Sequence, residues 1–89
     1  MPPAGRPVSV TLYGRAGCHL CDEAAAMLAR ISKRIPLAVT AIDIESDDAL
    51  LQRYLFEIPV ICVDGAEIAR APISEVELEA ALWAALGDG

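Results

Sequence analysis

The apolar residues change period twice between Val8 and Ile44, and this restricts the fold more than any other feature of the chain. Val8, Val10 and Leu12 alternate with Ser9, Thr11 and Tyr13, the two-residue period of a strand with one buried face. Gly14 to Gly17 reads as a loop, with a glycine at each end to permit unusual backbone angles. Cys18 then opens a helix predicted to run to about Arg34, with Leu20, Ala24, Met27, Leu28 and Ile31 on a 3.6-residue stripe. Arg30, Lys33 and Arg34 suit the negative end of its dipole, and Pro36 lies just beyond. Leu37 to Ile44 returns to a strand, mostly apolar and so expected inside the sheet. Two strands joined by a helix cannot form a hairpin. They must lie parallel, with a right-handed crossover.

The remaining segments complete the pattern. Ser46 is placed to cap a short helix over Asp47 to Leu55, with Asp47 and Asp48 in its first turn. Ile58-Pro59 precedes a third strand, Val60 to Val63, and Asp64-Gly65 is a two-residue hairpin signal leading to a fourth strand, Ala66 to Ala69. Ser74 and Glu77 have capping-box spacing for a last helix with the stripe Val76, Leu78, Ala81, Leu82 and Ala85, ended by Gly87. The expected order βαβαββα defines an α/β domain, a four-stranded mixed sheet with three helices distributed over both faces. Residues 7–87 form this single domain, and the Pro/Gly-rich segment 1–6 reads as a flexible N-terminal arm.

Composition excludes several functions. The 89 residues suffice for one core, and 55% apolar against 22% charged residues describes a folded chain. A formal charge of −6 argues against nucleic acid and anionic membranes as partners, since both require basic surface. No run approaches the roughly 20 apolar residues of a membrane span, and the first residues do not resemble a signal peptide. Three cysteines do not make a disulfide scaffold; two of them, four positions apart inclusive, point to redox chemistry in a cytoplasmic setting.

Cys18-His19-Leu20-Cys21 stands where the first strand feeds the first helix. Unpaired N–H groups and the positive end of the helix dipole favour a thiolate at Cys18. Cys21 lies one turn on, within reach of a disulfide. Cys18 is therefore the expected nucleophile and Cys21 the resolving thiol. Asp22 and Glu23 help the helix to start but oppose a neighbouring thiolate, and a protonated His19 would counter them. Zinc would require four ligands, and only His19, Cys62 and carboxylates remain in other positions, so no metal is assigned. Cys62 alternates with Ile61 and Val63 and reads as a buried packing thiol.

The strand, the CxxC at a helix start and the later Ile-Pro together resemble the thioredoxin fold. Within it the chain looks like the short glutaredoxin-like family, in Leu12-Tyr13, Cys18-His19-Leu20-Cys21-Asp22-Glu23-Ala24, Ile42-Asp43-Ile44, Arg53-Tyr54 and Ile58-Pro59-Val60. The resemblance implies a thiol–disulfide oxidoreductase acting on protein or small-molecule thiols and disulfides, with no required cofactor and with glutathione as one reductant. It also implies a cis Ile58-Pro59 bond that leaves the backbone of Ile58 open to a bound peptide or glutathione. Arg15 stands where glutaredoxins often carry a lysine, and could hold the thiolate or a ligand carboxylate. Arg15, His19, Leu20, Ile58 and Pro59 are thus the expected substrate-binding residues. The chain departs from the family in having His19-Leu20 rather than an aromatic between the cysteines, and Ala66-Glu67-Ile68 rather than a Gly-Gly/Asp signature after the hairpin. A non-catalytic interaction domain and a dithiol that binds a metal or an iron–sulfur cluster stay open beside the oxidoreductase. Nothing in the sequence demands more than a monomer.

Overall fold

The period-two segment forms β1 (Val8–Gly14), and the following amphipathic segment forms α1 (His19–Ile31). These belong to a computed structural model that describes residues 7–87, so the arm expected over residues 1–6 lies outside the described residues. Next come β2 (Leu37–Asp43), a 3₁₀ turn over Ile44–Ser46 and α2 (Asp48–Tyr54). The hairpin β3 (Val60–Val63) and β4 (Ala66–Arg70) then leads to α3 (Glu75–Gly87).

The strand order is β2-β1-β3-β4. β1 and β2 are parallel, as the helical crossover requires, from Val8 opposite Leu37 to Gly14 opposite Asp43. β3 is antiparallel to both β1 and β4. At the hairpin, Asp64 and Gly65 both have positive φ, 51° and 83°, as a two-residue turn with the twist of its strands needs. The pairing slips between Ile61 and Cys62, whose partners are Ala69 and Glu67, so Ile68 is the extra residue of a bulge.

Alternation along the strands produces two cores. On one face Val8, Val10, Leu12, Ile61 and Val63 pack with Ala24, Leu28 and Ile31 of α1 and Leu78 and Leu82 of α3. On the other, Val60 and Cys62 join Ile44 and Tyr54 beside α2. Cys62 is buried on this second face, as alternation requires. The capping box is present: Ser74 N–H donates to Glu77 Oε1 at 3.3 Å and Glu77 N–H donates to Ser74 Oγ at 3.2 Å.

Several local expectations need correction. β2 is an edge strand, and from Ala38 to Ala41 it is exposed. Its exposed stretch includes two alanines, whose exposure costs little, and Val39, which is left 43% exposed, while β3 takes the central place beside β1. Leu20 and Val76 are 50% and 81% exposed, so neither joins the buried stripe of its helix. Cys21 takes the buried place on α1 instead. The helix stops at Ile31, and a turn carries the chain to Ile35, which is fully buried and terminates the core at that end. Asp47, rather than Ser46, caps α2, its Oδ1 accepting from Ala49 N–H at 2.7 Å, because Ser46 Oγ is already donating to the Asp43 carbonyl.

Candidate active site

Cys18 is the N-cap of α1, one position before the first helical residue. Its backbone is extended, φ −92° and ψ 107°, and its Sγ accepts from Cys21 N–H at 3.1 Å. A hydrogen bond of this kind favours the anion over the thiol, because a thiolate is the better acceptor. The Cys18 carbonyl meanwhile accepts from Asp22 N–H at 3.1 Å, closing the first helical turn. The same residue therefore starts the helix with its backbone and takes up a free N–H with its sulfur.

Cys18 and Cys21 are joined by a disulfide, with Cα atoms 5.2 Å apart, inside the range that bridging needs without backbone movement. Their exposure is unequal. Cys18 is half-buried, whereas Cys21 is 6% exposed and packed against the end of β1. The close approach at that end depends on Gly14. A Cβ there would lie 2.9 Å from Cys21 Sγ and 3.1 Å from Cys21 Cβ, nearer than side chains pack. Gly14 is thus required by proximity and lies within β1; only Gly17, with φ of 78°, is a glycine of the loop by virtue of its backbone angles.

The expected binding residues fall on two sides of the dithiol. Arg15 lines a cleft of about 280 Å3 behind Cys21, together with Gly14, Asp22, Ala41 and Asp43. Its guanidinium reaches Glu45 at 3.6 Å, an ion pair that no spacing in the sequence indicates. Leu20 and Pro59 instead line a smaller groove on the other side of α1, with Glu23, Met27, Pro72 and Ile73. His19 is largely exposed and stands 3.3 Å from Glu23, four positions on, a spacing that was available in the sequence.

The Ile58-Pro59 bond is cis, and so is Ala71-Pro72 at the far end of the hairpin. The Pro59 carbonyl accepts from Ala71 N–H at 3.1 Å, so these two segments lie side by side. Ile58 is less open than the resemblance implies. Its N–H donates to the Tyr54 carbonyl at 3.1 Å. Tyr54 is itself fixed by stacking on Tyr13, with ring centroids 4.8 Å apart, and by Arg53 above its ring at 5.1 Å. Burial pushes the Tyr54 phenol up in pKa, against the pull of Arg53. Burial also pushes the Cys62 thiol up, and the charge of Glu67 adds to this. Cys62 is accordingly a poor nucleophile. Among the described residues no three His, Cys, Asp or Glu side chains converge on a position for a metal ion.

A CxxC at the head of α1, followed through a parallel crossover by a Pro-bounded hairpin, defines a thioredoxin-like fold. The protein belongs to the family described as Glutaredoxin-like domain (DUF836), whose model matches residues 9–83. Protein XcR50 from X. campestris, solved by X-ray crystallography, is 36% identical with a TM-score of 0.75, over 84% of this chain and 96% of that one. Protein Ne2328 from Nitrosomonas europaea, solved by NMR, is 27% identical with the same TM-score of 0.75, over 90% and 96% of the two chains. Thioredoxin 1 from Thermosipho africanus shares the fold at 18% identity, with a TM-score of 0.65 over 89% and 94%.

Proposed function

We propose that the protein is a thiol–disulfide oxidoreductase in which Cys18 attacks and Cys21 resolves. The observation that carries this reading is the unequal pair at the head of α1: Cys18 is the half-buried N-cap whose sulfur accepts an N–H, and Cys21 is the buried partner within bonding reach. In the reduced protein the Cys18 thiolate attacks a substrate disulfide. This forms a mixed disulfide at Cys18 and releases one substrate thiolate, which takes a proton. The Cys21 thiolate then attacks Cys18 Sγ, forming the Cys18–Cys21 disulfide and releasing the second substrate thiolate. Two electrons and two protons pass from protein to substrate, and an external thiol or dithiol reductant, glutathione among the candidates, returns them. No bound cofactor enters the cycle, and one copy of the chain contains both sulfurs. A reducing compartment such as the cytoplasm suits a dithiol that must be recharged. No helix of the described residues is long and apolar enough to cross a membrane.

Cys21→Ser provides the test. It removes the resolving sulfur, so a disulfide substrate should leave a persistent mixed disulfide on Cys18, seen as added mass on the intact chain. Cys18→Ser should abolish turnover. Retention of wild-type rates by both variants would remove the proposal.

A further inference from the structure

The two sides of the dithiol differ in the chemistry they offer. The Leu20 side is a groove of about 80 Å3, walled by Leu20, Met27, Pro59, Pro72 and Ile73, with Glu23 as the one charged side chain of its lining. Pockets that enclose a whole small molecule usually measure about 300–1,000 Å3. This groove has room for one aliphatic side chain of a larger partner. Leu20, which lies between the two cysteines in sequence, is 50% exposed at its mouth.

The cation expected to receive a ligand carboxylate is elsewhere. Arg15 faces the opposite cleft and is engaged by Glu45, with Asp22 and Asp43 lining the same cleft. Among the other guanidinium groups, Arg30 is held by Glu75 at 2.7 Å, Arg70 is paired with Glu57, and Arg53 lies over the Tyr54 ring. Glutathione carries two carboxylates against a single ammonium, and would therefore bring an excess of negative charge to a groove lined by Glu23. An apolar residue followed by a cation is the complementary arrangement.

Resting on the oxidoreductase reading, we propose that the groove selects the substrate: a peptide or protein disulfide with an aliphatic side chain beside the reacting cysteine and a lysine or arginine next to it, in preference to glutathione disulfide. The aliphatic side chain fills the space between Leu20 and Ile73, while Glu23, which faces His19 at 3.3 Å in the free protein, exchanges that contact for the substrate cation. The electron transfer is the one written above, with the peptide disulfide as oxidant. Burying one aliphatic side chain should raise kcat/KM at least about tenfold. A rim charge pair should add about two- to fivefold.

The test uses the full chain in two forms. The reduced wild type is assayed on short disulfide peptides carrying Leu-Lys, Leu-Glu or Gly-Gly after the cysteine, and on glutathione disulfide. The expected order is Leu-Lys, then Leu-Glu, then Gly-Gly and glutathione disulfide, and Glu23→Lys should reverse the first two. The Cys18→Ser chain, which cannot react, is titrated with the linear Leu-Lys peptide and followed by amide NMR, with shifts expected at Leu20, Glu23 and Ile73. Glutathione disulfide reacting as fast as the Leu-Lys peptide would overturn the proposal, as would an unchanged Lys/Glu ratio in Glu23→Lys. Absence of reduction with the groove shifts intact would remove the redox reading and keep the groove; absence of the shifts would remove the groove whatever the activity.

Discussion

Gly14→Ala is the substitution for which the structure allows the closest reckoning. The added Cβ would stand 2.9 Å from Cys21 Sγ and 3.1 Å from Cys21 Cβ. Ordinary carbon contacts lie near 3.5–4.0 Å, so the neighbours must part by roughly 0.5–1 Å. β1 cannot yield easily, because Gly14 is paired with Asp43 of β2 and the preceding Tyr13 with Val60 of β3. The displacement therefore falls on the first turn of α1, which carries both cysteines. Overpacking of this kind costs about 1–3 kcal/mol. Alanine regains about 0.4–1 kcal/mol by restricting the unfolded chain. The expected net is about 1–2 kcal/mol of destabilisation. Urea unfolding should be measured in two disulfide-free backgrounds, Cys18→Ala and Cys18→Ala with Cys21→Ala. The first keeps the Cys21 sulfur and the second removes it, so the cost of Gly14→Ala should fall by more than half between them. In the otherwise wild-type chain, the mixed disulfide on Cys18 should also persist longer during turnover, since the added methyl presses on the resolving sulfur and meets no atom of Cys18. Equal costs in the two backgrounds, or a net stabilisation from chain entropy alone, would refute the reasoning.

Other expectations follow from the same structure. Cys62, buried and with its thiol pushed up in pKa, should react with iodoacetamide far more slowly than Cys18 in the reduced native chain, and at a comparable rate once urea unfolds it. The hydrogen bond from Arg34 holds the Glu79 carboxyl below its usual pKa range. Its stabilisation is therefore full above the unfolded carboxyl range and lost as pH falls through the depressed folded value. Glu79→Gln should lower stability near neutrality and match the wild type in strong acid, as followed by urea midpoints across that range. Ser74→Ala removes the cap of α3 and should cost about 0.5–2 kcal/mol in urea unfolding with an unchanged m-value.

Much of the fold could be read before any coordinates, for reasons visible in particular residues. The crossover between β1 and β2 followed from two changes of period, and the hairpin from Asp64-Gly65, because both signals act within a few residues. The dithiol was equally legible, since the position of Cys18 at a helix start needs only the chain on either side of it. Leu20 and Val76 misled because a helical stripe states which side chains are apolar, but the partner elements decide how wide a stripe is covered. Arg15 could be recognised as a cation near Cys18. Its engagement by Glu45 depends on where β2 ends.

The CxxC at a helix start, the parallel crossover and the capped last helix are thus properties of the sequence itself, because each arises from neighbours close along the chain. The edge position of β2, the contact of Gly14 with Cys21 and the division of Leu20 and Arg15 between two clefts arise only in the tertiary structure. Each joins residues that the sequence separates or sets side by side without direction, and only the packing of α1 across the sheet determines which of them meet.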